Sequence, residues 1–149
     1  VYFLKTYARI SHPLHGLILF NTYPFQDVLL KDFNDYRFNV ILKARQLGIS
    51  TITAGYIVWL MLFHRDKAVL VMATKFATAG NLVNKVKKIM KNLPDWIRIA
   101  NINIDNRTSF ELSNGSSIKA VLLYPLLMVL ATGFIKHALM QKPRRIILI

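Results

Sequence analysis

The sequence predicts an α/β domain in which helices cover both faces of a mostly parallel sheet. Two apolar runs, residues 37–44 and 68–73, have the length of strands, and each precedes a segment with the length and pattern of a helix. The second run lacks apolar–polar alternation, as is typical of a central strand buried on both faces. Strands that alternate with helices favour parallel pairing through crossover connections.

The N-terminal region is predicted to contain two helices separated by an extended piece. Apolar spacing predicts a short helix over residues 1–10, residues 11–16 break it, and residues 17–20 form a short strand. Residues 23–36 form the second helix, with Pro24 in its first turn. Its predicted apolar face consists of Phe25, Val28, Leu29 and Phe33.

Two further helices and a hairpin follow. Residues 49–63 predict a mostly apolar helix, and residues 76–92 predict the most clearly amphipathic one. The apolar side of the second helix consists of Leu82, Val83, Val86, Ile89, Met90 and Leu93. Its opposite side carries Lys85, Lys87, Lys88 and Lys91. Residues 109–121 then predict two strands around the turn Asn114-Gly115.

The composition restricts the possible partners. The 149 residues include 20 Lys and Arg but 7 Asp and Glu, so the net charge of +13 favours nucleic acid, nucleotides or an acidic membrane surface. The absence of Cys excludes disulfides and thiolate metal sites, and the four His lack the spacing of metal ligands. Residues 120–135 are uncharged but shorter than the roughly 18–20 residues of a membrane span, so a core element is predicted and no membrane is expected as partner.

The segment KARQLGIST, residues 43–51, has the outline of a phosphate-binding loop because it joins a predicted strand to a predicted helix. The usual pattern is G-x-x-x-x-G-K-[ST]. Here Lys43 occupies the position of the first glycine in the pattern, and Ile49 occupies the position of its lysine. Gly48 permits the positive φ of a nest of N–H groups, and the Ser50 hydroxyl is in position to reach Mg²⁺.

A phosphate-binding loop also needs a positively charged side chain that contacts the phosphates. Ile49 supplies none, whereas Lys43 and Arg45 lie on the same loop. The simpler alternative is that Gly48 is a plain turn residue and Ser50 a plain helix N-cap.

KARQLGIST resembles the deviant Walker A motif of the large terminase subunit of tailed bacteriophages, the ATPase that packages double-stranded DNA into proheads. In that family the lysine is often displaced to five residues before the glycine, as Lys43 is from Gly48. Three more segments resemble family motifs in the right order: YPFQ at 23–26, the strand and helix of 63–97, and the hairpin of 110–120. The similarity runs from about residue 2 to residue 120.

The resemblance implies a truncated P-loop NTPase-type domain over residues 1–120, with Mg²⁺ and ATP as cofactors. Phe25 would stack near adenine and Gln26 would hydrogen-bond its edge. Ser50 would hold Mg²⁺, and Arg45 would act on transition-state charge as a catalytic residue. The other implied ATP-binding residues are Lys43, Ala44, Gln46, Leu47, Gly48, Ile49 and Thr51.

The resemblance also implies partners. The full protein would act on double-stranded DNA together with the portal protein and the small terminase subunit. It would be located in the host cell cytoplasm and transiently at the prohead portal. The full-length protein is also expected to form a ring of copies. Two alternatives stay open: a helicase-like P-loop nucleic-acid motor, and a non-enzymatic basic module that binds nucleic acid. Mg²⁺-dependent ATP affinity separates the motors from the basic module.

The resemblance fails after Ala120. The family continues to a Walker B strand that ends in Asp-Glu, whereas residues 121–149 contain neither Asp nor Glu. Glu111 lies in the predicted hairpin, and Asp105 follows an apolar run interrupted by Asn103. We interpret the apolar, basic tail as translated out of frame, with a divergent end as the alternative. Because the chain begins at Val1 inside a predicted helix and lacks the family's nuclease domain, we expect a fragment of a longer protein.

We predict that this chain does not hydrolyse ATP at a motor's rate. Phosphoryl transfer requires a residue that orients the attacking water, and the expected Asp-Glu pair is missing. Phosphate release from purified chain with Mg²⁺–ATP should stay near background with or without DNA. A DNA-stimulated turnover of ~1 per second, abolished by Lys43→Ala, would contradict this expectation.

Overall fold

The structure, a computed structural model, describes residues 1–12, 14–98 and 100–122, and the backbone of residues 146–147. It is a mixed α/β arrangement. Its elements are α1 (Tyr2–Tyr7), β1 (Arg9–His12), β2 (Gly16–Leu19), α2 (Pro24–Asp35), β3 (Phe38–Asn39), α3 (Ile49–Phe63), β4 (Ala68–Ala73), α4 (Phe76–Lys91), β5 (Ile102–Asn106), β6 (Ser109–Leu112), β7 (Ser117–Leu122) and β8 (Ile146–Ile147).

The main sheet has four strands in the order β4-β7-β6-β5. β4 pairs with β7 in parallel, whereas β7 with β6 and β6 with β5 are antiparallel. The predicted mostly parallel sheet is therefore wrong in its pairing, because the hairpin places consecutive strands side by side and β5, which was not predicted, adds a third. The hairpin itself is confirmed, with Gly115 in its turn at φ +79°.

β4 is parallel as predicted, but it is not a central strand buried on both faces. It lies at the edge of the four-stranded sheet and pairs only with β7 within the described part of the chain. Leu70 is 47% exposed, and exposure alternates along the first half of the strand. The sequence of this strand is apolar throughout, which shows its composition only. Burial of both faces also requires a second neighbouring strand, and β4 has none among the described residues.

The buried strand predicted over residues 37–44 is also corrected. Only Phe38–Asn39 form a strand, in parallel with Ile146–Ile147. Val40 is 94% exposed and Leu42 is fully exposed. No strand among the described residues pairs with residues 40–44, so Val40 and Leu42 lie outside the core, whereas Ile41 is partly buried against it.

The N-terminal region differs from the predicted helix over residues 1–10. α1 ends at Tyr7, and residues 9–12 and 16–19 form an antiparallel hairpin. Gly16 adopts φ +67° at the hairpin's return, where a residue with a Cβ would be strained. The predicted short strand near residues 17–20 is confirmed, but its partner strand was missed.

α2 forms where it was predicted, with Pro24 in the first turn, but its buried face is different. Gln26, Leu30 and Phe33 are buried, at the four- and three-residue spacing of one helical face. Phe25 and Val28, predicted to lie on that face, are 45% and 61% exposed. Phe33 is buried as predicted and Leu29 is partly buried against the core, so the prediction failed only at Phe25 and Val28; the first buried position is the polar Gln26.

The core is built around α3 and α4, which pack against each other while α4 also packs on β4, β6 and β7. Both helices agree with the predicted spans, and the predicted apolar side of α4 is buried. Lys87 is the exception on its lysine side. It is buried, its Nζ lies 2.8 Å from Asp105 Oδ1 and donates to the Asn106 carbonyl oxygen, and it faces the Phe110 ring.

Among the described residues, no helix is both long and apolar enough to cross a bilayer. The apolar segment at 120–135 and the tail at 121–149 lie outside the described residues, apart from 120–122 and the backbone of 146–147.

The hairpin turn generates a stability prediction. Gly115→Ala should lower the free energy of unfolding by about 1–2 kcal/mol, the cost of a left-handed residue, and a Cβ there would also collide with Asp66 Oδ1. Gly80→Ala is the control: it lies within α4 with open space around a Cβ, so it should stabilise by roughly 0.4–1 kcal/mol. Urea denaturation checks both. Equal effects from the two substitutions would contradict the assigned turn.

Candidate nucleotide-binding site

The loop between β3 and α3 contains two residues in the left-handed region. Gly48 has φ +69° and ψ 10°, and Gln46 has φ +65°. A left-handed conformation is uncommon for a residue with a Cβ and persists where surrounding structure enforces it. Gly48 is thus a conformational requirement of this loop, as the sequence predicted.

Gly48 is the N-cap of α3 and supplies no side chain to cap it. Thr51 N–H and Ile52 N–H donate to its carbonyl oxygen at 2.9 and 3.0 Å. Within the described chain, no hydrogen bond occupies the backbone N–H groups of Ile49 and Ser50. The simple alternative in which Ser50 caps the helix is therefore wrong, and the helix begins with free donors beside the Ser50 and Thr51 hydroxyls.

The side chains of the loop divide into buried and exposed groups. Ile49 is 4% exposed and belongs to the protein interior. The position that carries lysine in the usual pattern therefore faces inward here. Lys43 and Arg45 are exposed on the loop, so the structure leaves the two predicted cations accessible to a ligand.

Gln26 connects the loop to the start of α2. Its side chain is 2% exposed, its Nε2 donates to the Leu47 carbonyl oxygen at 3.0 Å, and its Oε1 accepts from Tyr23 N–H at 3.2 Å. A Cβ added to Gly48 would lie 2.8 Å from Gln26 Nε2. The sequence predicted an adenine contact for Gln26, and the structure adds a structural role that sequence reasoning missed.

Phe25 lies outside the buried face and close to the same helix start. Its ring is 5.8 Å from that of Tyr23, with only 6° between the planes. Both side chains are largely exposed. Sequence reasoning identified Phe25 but missed Tyr23, because its role depends on ring orientation and not on spacing. The pair offers a flat apolar surface of the kind on which a base stacks.

Lys85 of α4 reaches the start of α3. Its Nζ donates to Thr51 Oγ1 at 3.2 Å. Partial burial lowers the pKa of Lys85, and the positive charge of Lys43 lowers it further. Lys85, Lys43 and the first turn of α3 therefore lie close together. The sequence placed Lys85 on a solvated helix face and gave no signal of this contact, because helical spacing does not show which element lies opposite.

A cavity of about 340 Å³ lies between α3, β4 and α4, next to these groups. Its polar lining near the loop includes Ser50, Thr53 and Lys85, and its apolar lining includes Ile57 and Leu82. The first turn of α3 thus forms one wall of a space large enough for a small ligand group.

Two acidic residues, Asp27 and Asp105, form ion pairs away from the loop. Asp105 accepts from Lys87 and Lys91 at 2.8 Å each, and these hydrogen bonds lower its pKa. Asp27 pairs with Lys5 at 2.7 Å. No group of three or more His, Asp or Glu among the described residues has the arrangement of a metal site. Asp105 therefore joins α4 to β5 through its ion pairs with Lys87 and Lys91.

No protein-family model matches this chain.

The hydrogen bonds by which Gln26 joins α2 to the loop can be tested by substitution. Gln26→Ala should lower the free energy of unfolding by about 1–2 kcal/mol, because it removes a capping interaction and leaves the Leu47 carbonyl without its buried partner. Trypsin should also cut faster after Lys43 and Arg45. The exposed amide of Asn84 provides the control substitution, Asn84→Ala. Identical digestion of the two variants would show that Gln26 does not hold the loop.

Proposed function

We propose that residues 1–120 are the ATP-binding part of a large terminase subunit that powers packaging of double-stranded DNA. The observation that carries the proposal is the start of α3: a left-handed glycine N-cap, free N–H groups at Ile49 and Ser50, and an exposed cation at Lys43. Helix N-termini with free N–H groups bind phosphate through hydrogen bonds and the helix dipole. Lys43 also lies five residues before Gly48, the spacing at which the displaced lysine of the large terminase family is found, and this resemblance supports the proposal.

The residues present suit Mg²⁺–ATP binding better than ATP hydrolysis. Ser50 lies in the first turn of α3 with its hydroxyl beside the free N–H groups, so it is the residue that would hold Mg²⁺. The ion, when bound, would neutralise charge between the β- and γ-phosphates. The Ser50 hydroxyl as a metal ligand and the free N–H groups of the first turn as phosphate donors are what support binding.

The remaining roles follow the same arrangement. Phe25, with Tyr23 stacked on it, would receive the adenine ring, and the remaining hydrogen-bonding capacity of the Gln26 amide would face its edge. Arg45 would contact phosphate or transition-state charge with its planar guanidinium. In a P-loop NTPase-type fold a strand would precede the phosphate loop, and β3 (Phe38–Asn39) has that place in the chain here.

The wider assembly rests on the resemblance and on charge. A net charge of +13 suits a partner with a phosphate backbone. Double-stranded DNA, the portal protein, the small subunit and a ring of copies at the prohead in the host cytoplasm are proposed for the full-length protein. A helicase-like motor with the same loop is the nearest alternative.

We predict that Lys43→Ala weakens Mg²⁺–ATP binding at least about tenfold. An ammonium about 4 Å from a phosphate charge contributes a few kcal/mol at an effective dielectric of ~20. Calorimetric titration of the purified chain measures the change. Lys88→Ala, which removes the same charge from an exposed position of α4, is the control and should change affinity less than about twofold.

Ile49→Val provides a second comparison, since it changes the position that carries the usual lysine while keeping an apolar side chain in the core. It should leave ATP affinity nearly unchanged. Equal losses from Lys43→Ala and Lys88→Ala would refute a displaced lysine. No Mg²⁺-dependent ATP affinity in the unmodified chain would instead identify a basic module without a nucleotide site.

A further inference from the structure

Lys85 is placed to act on a ligand at the start of α3, although it belongs to a different element. It lies on α4, and its ammonium reaches across to Thr51 Oγ1 at 3.2 Å. It also lines the cavity that has Ser50 and Thr53 on its opposite wall. The Lys85 ammonium therefore contacts the first turn of α3, the turn that carries the free N–H groups, through the Thr51 hydroxyl.

The surroundings of Lys85 disfavour its positive charge, which a lysine that served only as a structural contact would not require. Lys43 is near enough to disfavour its protonated form, and partial burial disfavours that form further. Among the described residues, no carboxylate forms an ion pair with either lysine, whereas Lys87 and Lys91 on the same helix share Asp105. The two positive charges repel each other without a carboxylate partner among the described residues, and an anion bound beside Lys85 at the first turn of α3 would reduce this repulsion.

We propose that Lys85 is a second phosphate-binding cation, which contacts the phosphates of the nucleotide from α4 while Lys43 contacts them from the loop. This inference rests on the proposed nucleotide site and assigns a role to a residue outside the loop motif. Binding would exchange the neutral acceptor Thr51 Oγ1 for a charged phosphate oxygen, and hydrogen bonds between charged groups are shorter and stronger.

Two consequences distinguish this role from a structural one. Lys85 should affect only ligands that carry phosphates, because its contact is at the first turn of α3 and not at the Tyr23–Phe25 surface. Its contribution should also depend on a positive charge, so Lys85→Arg should retain most of the affinity that Lys85→Gln loses.

The experiment compares four forms of the chain: unmodified, Lys85→Gln, Lys85→Arg and Lys88→Gln. Each is titrated with Mg²⁺–ATP, Mg²⁺–tripolyphosphate and adenosine. Lys85→Gln should weaken ATP and tripolyphosphate binding about tenfold and leave adenosine binding unchanged. Lys88→Gln, three residues further along the same helix and exposed, should change each affinity less than about twofold.

Reductive methylation followed by mass spectrometry tests the same inference without a substitution. Mg²⁺–ATP should slow labelling of Lys43 and Lys85 in the unmodified chain and leave labelling of Lys88 unchanged. If ATP binds and depends on Lys43, but Lys85→Gln behaves like Lys88→Gln and ATP gives Lys85 no protection, the inference on Lys85 is wrong and the proposed site stands. If the unmodified chain has no ATP affinity, both are wrong.

Discussion

The buried amide of Gln26 fixes the position of the candidate loop relative to the rest of the molecule. One end of the amide accepts from the Tyr23 N–H and the other donates to the Leu47 carbonyl, so α2 and the loop are joined through a single side chain. The same amide occupies the space that a Cβ on Gly48 would need. The left-handed turn at Gly48, which opens α3, is therefore packed directly against the Gln26 amide.

The distribution of acids explains why the candidate site is positively charged. Asp27 is paired with Lys5, and Asp105 is shared by Lys87 and Lys91. These pairs connect α1 to α2 and α4 to β5. With only seven acidic residues in the chain, little negative charge is left for the loop. The two carboxylates paired with Lys5, Lys87 and Lys91 are therefore engaged away from the loop.

The parts of the fold that the sequence predicted are those determined by local pattern. The spans of α3 and α4 follow from periodicity, and the β6–β7 hairpin follows from Asn114-Gly115. The parts it did not predict depend on a distant partner. Whether Val40 and Leu42 are buried depends on a neighbouring strand, and whether Lys85 contacts Thr51 depends on what lies opposite α4. Composition and spacing contain neither fact.

The same division applies to the candidate site. Gly48, Lys43 and the hydroxyls of α3 were predicted because a loop motif is contiguous in sequence. The contacts of Tyr23 with Phe25 and of Lys85 with Thr51 were missed because each depends on side-chain orientation, which spacing does not show. The inner role of Gln26 was missed because a polar residue on a helix is usually assigned to the solvated side, whereas here its burial is compensated by two backbone hydrogen bonds.

The edge position of β4 has a consequence for the behaviour of the chain in solution. Six residues run along this edge, and within the described structure the side away from β7 has no partner strand. Unpaired backbone N–H and C=O groups on an edge are a template for a strand from another molecule. If a second copy pairs with this edge, self-association should increase with protein concentration, and it should also increase with salt because the high positive charge of the chain opposes the approach of two copies.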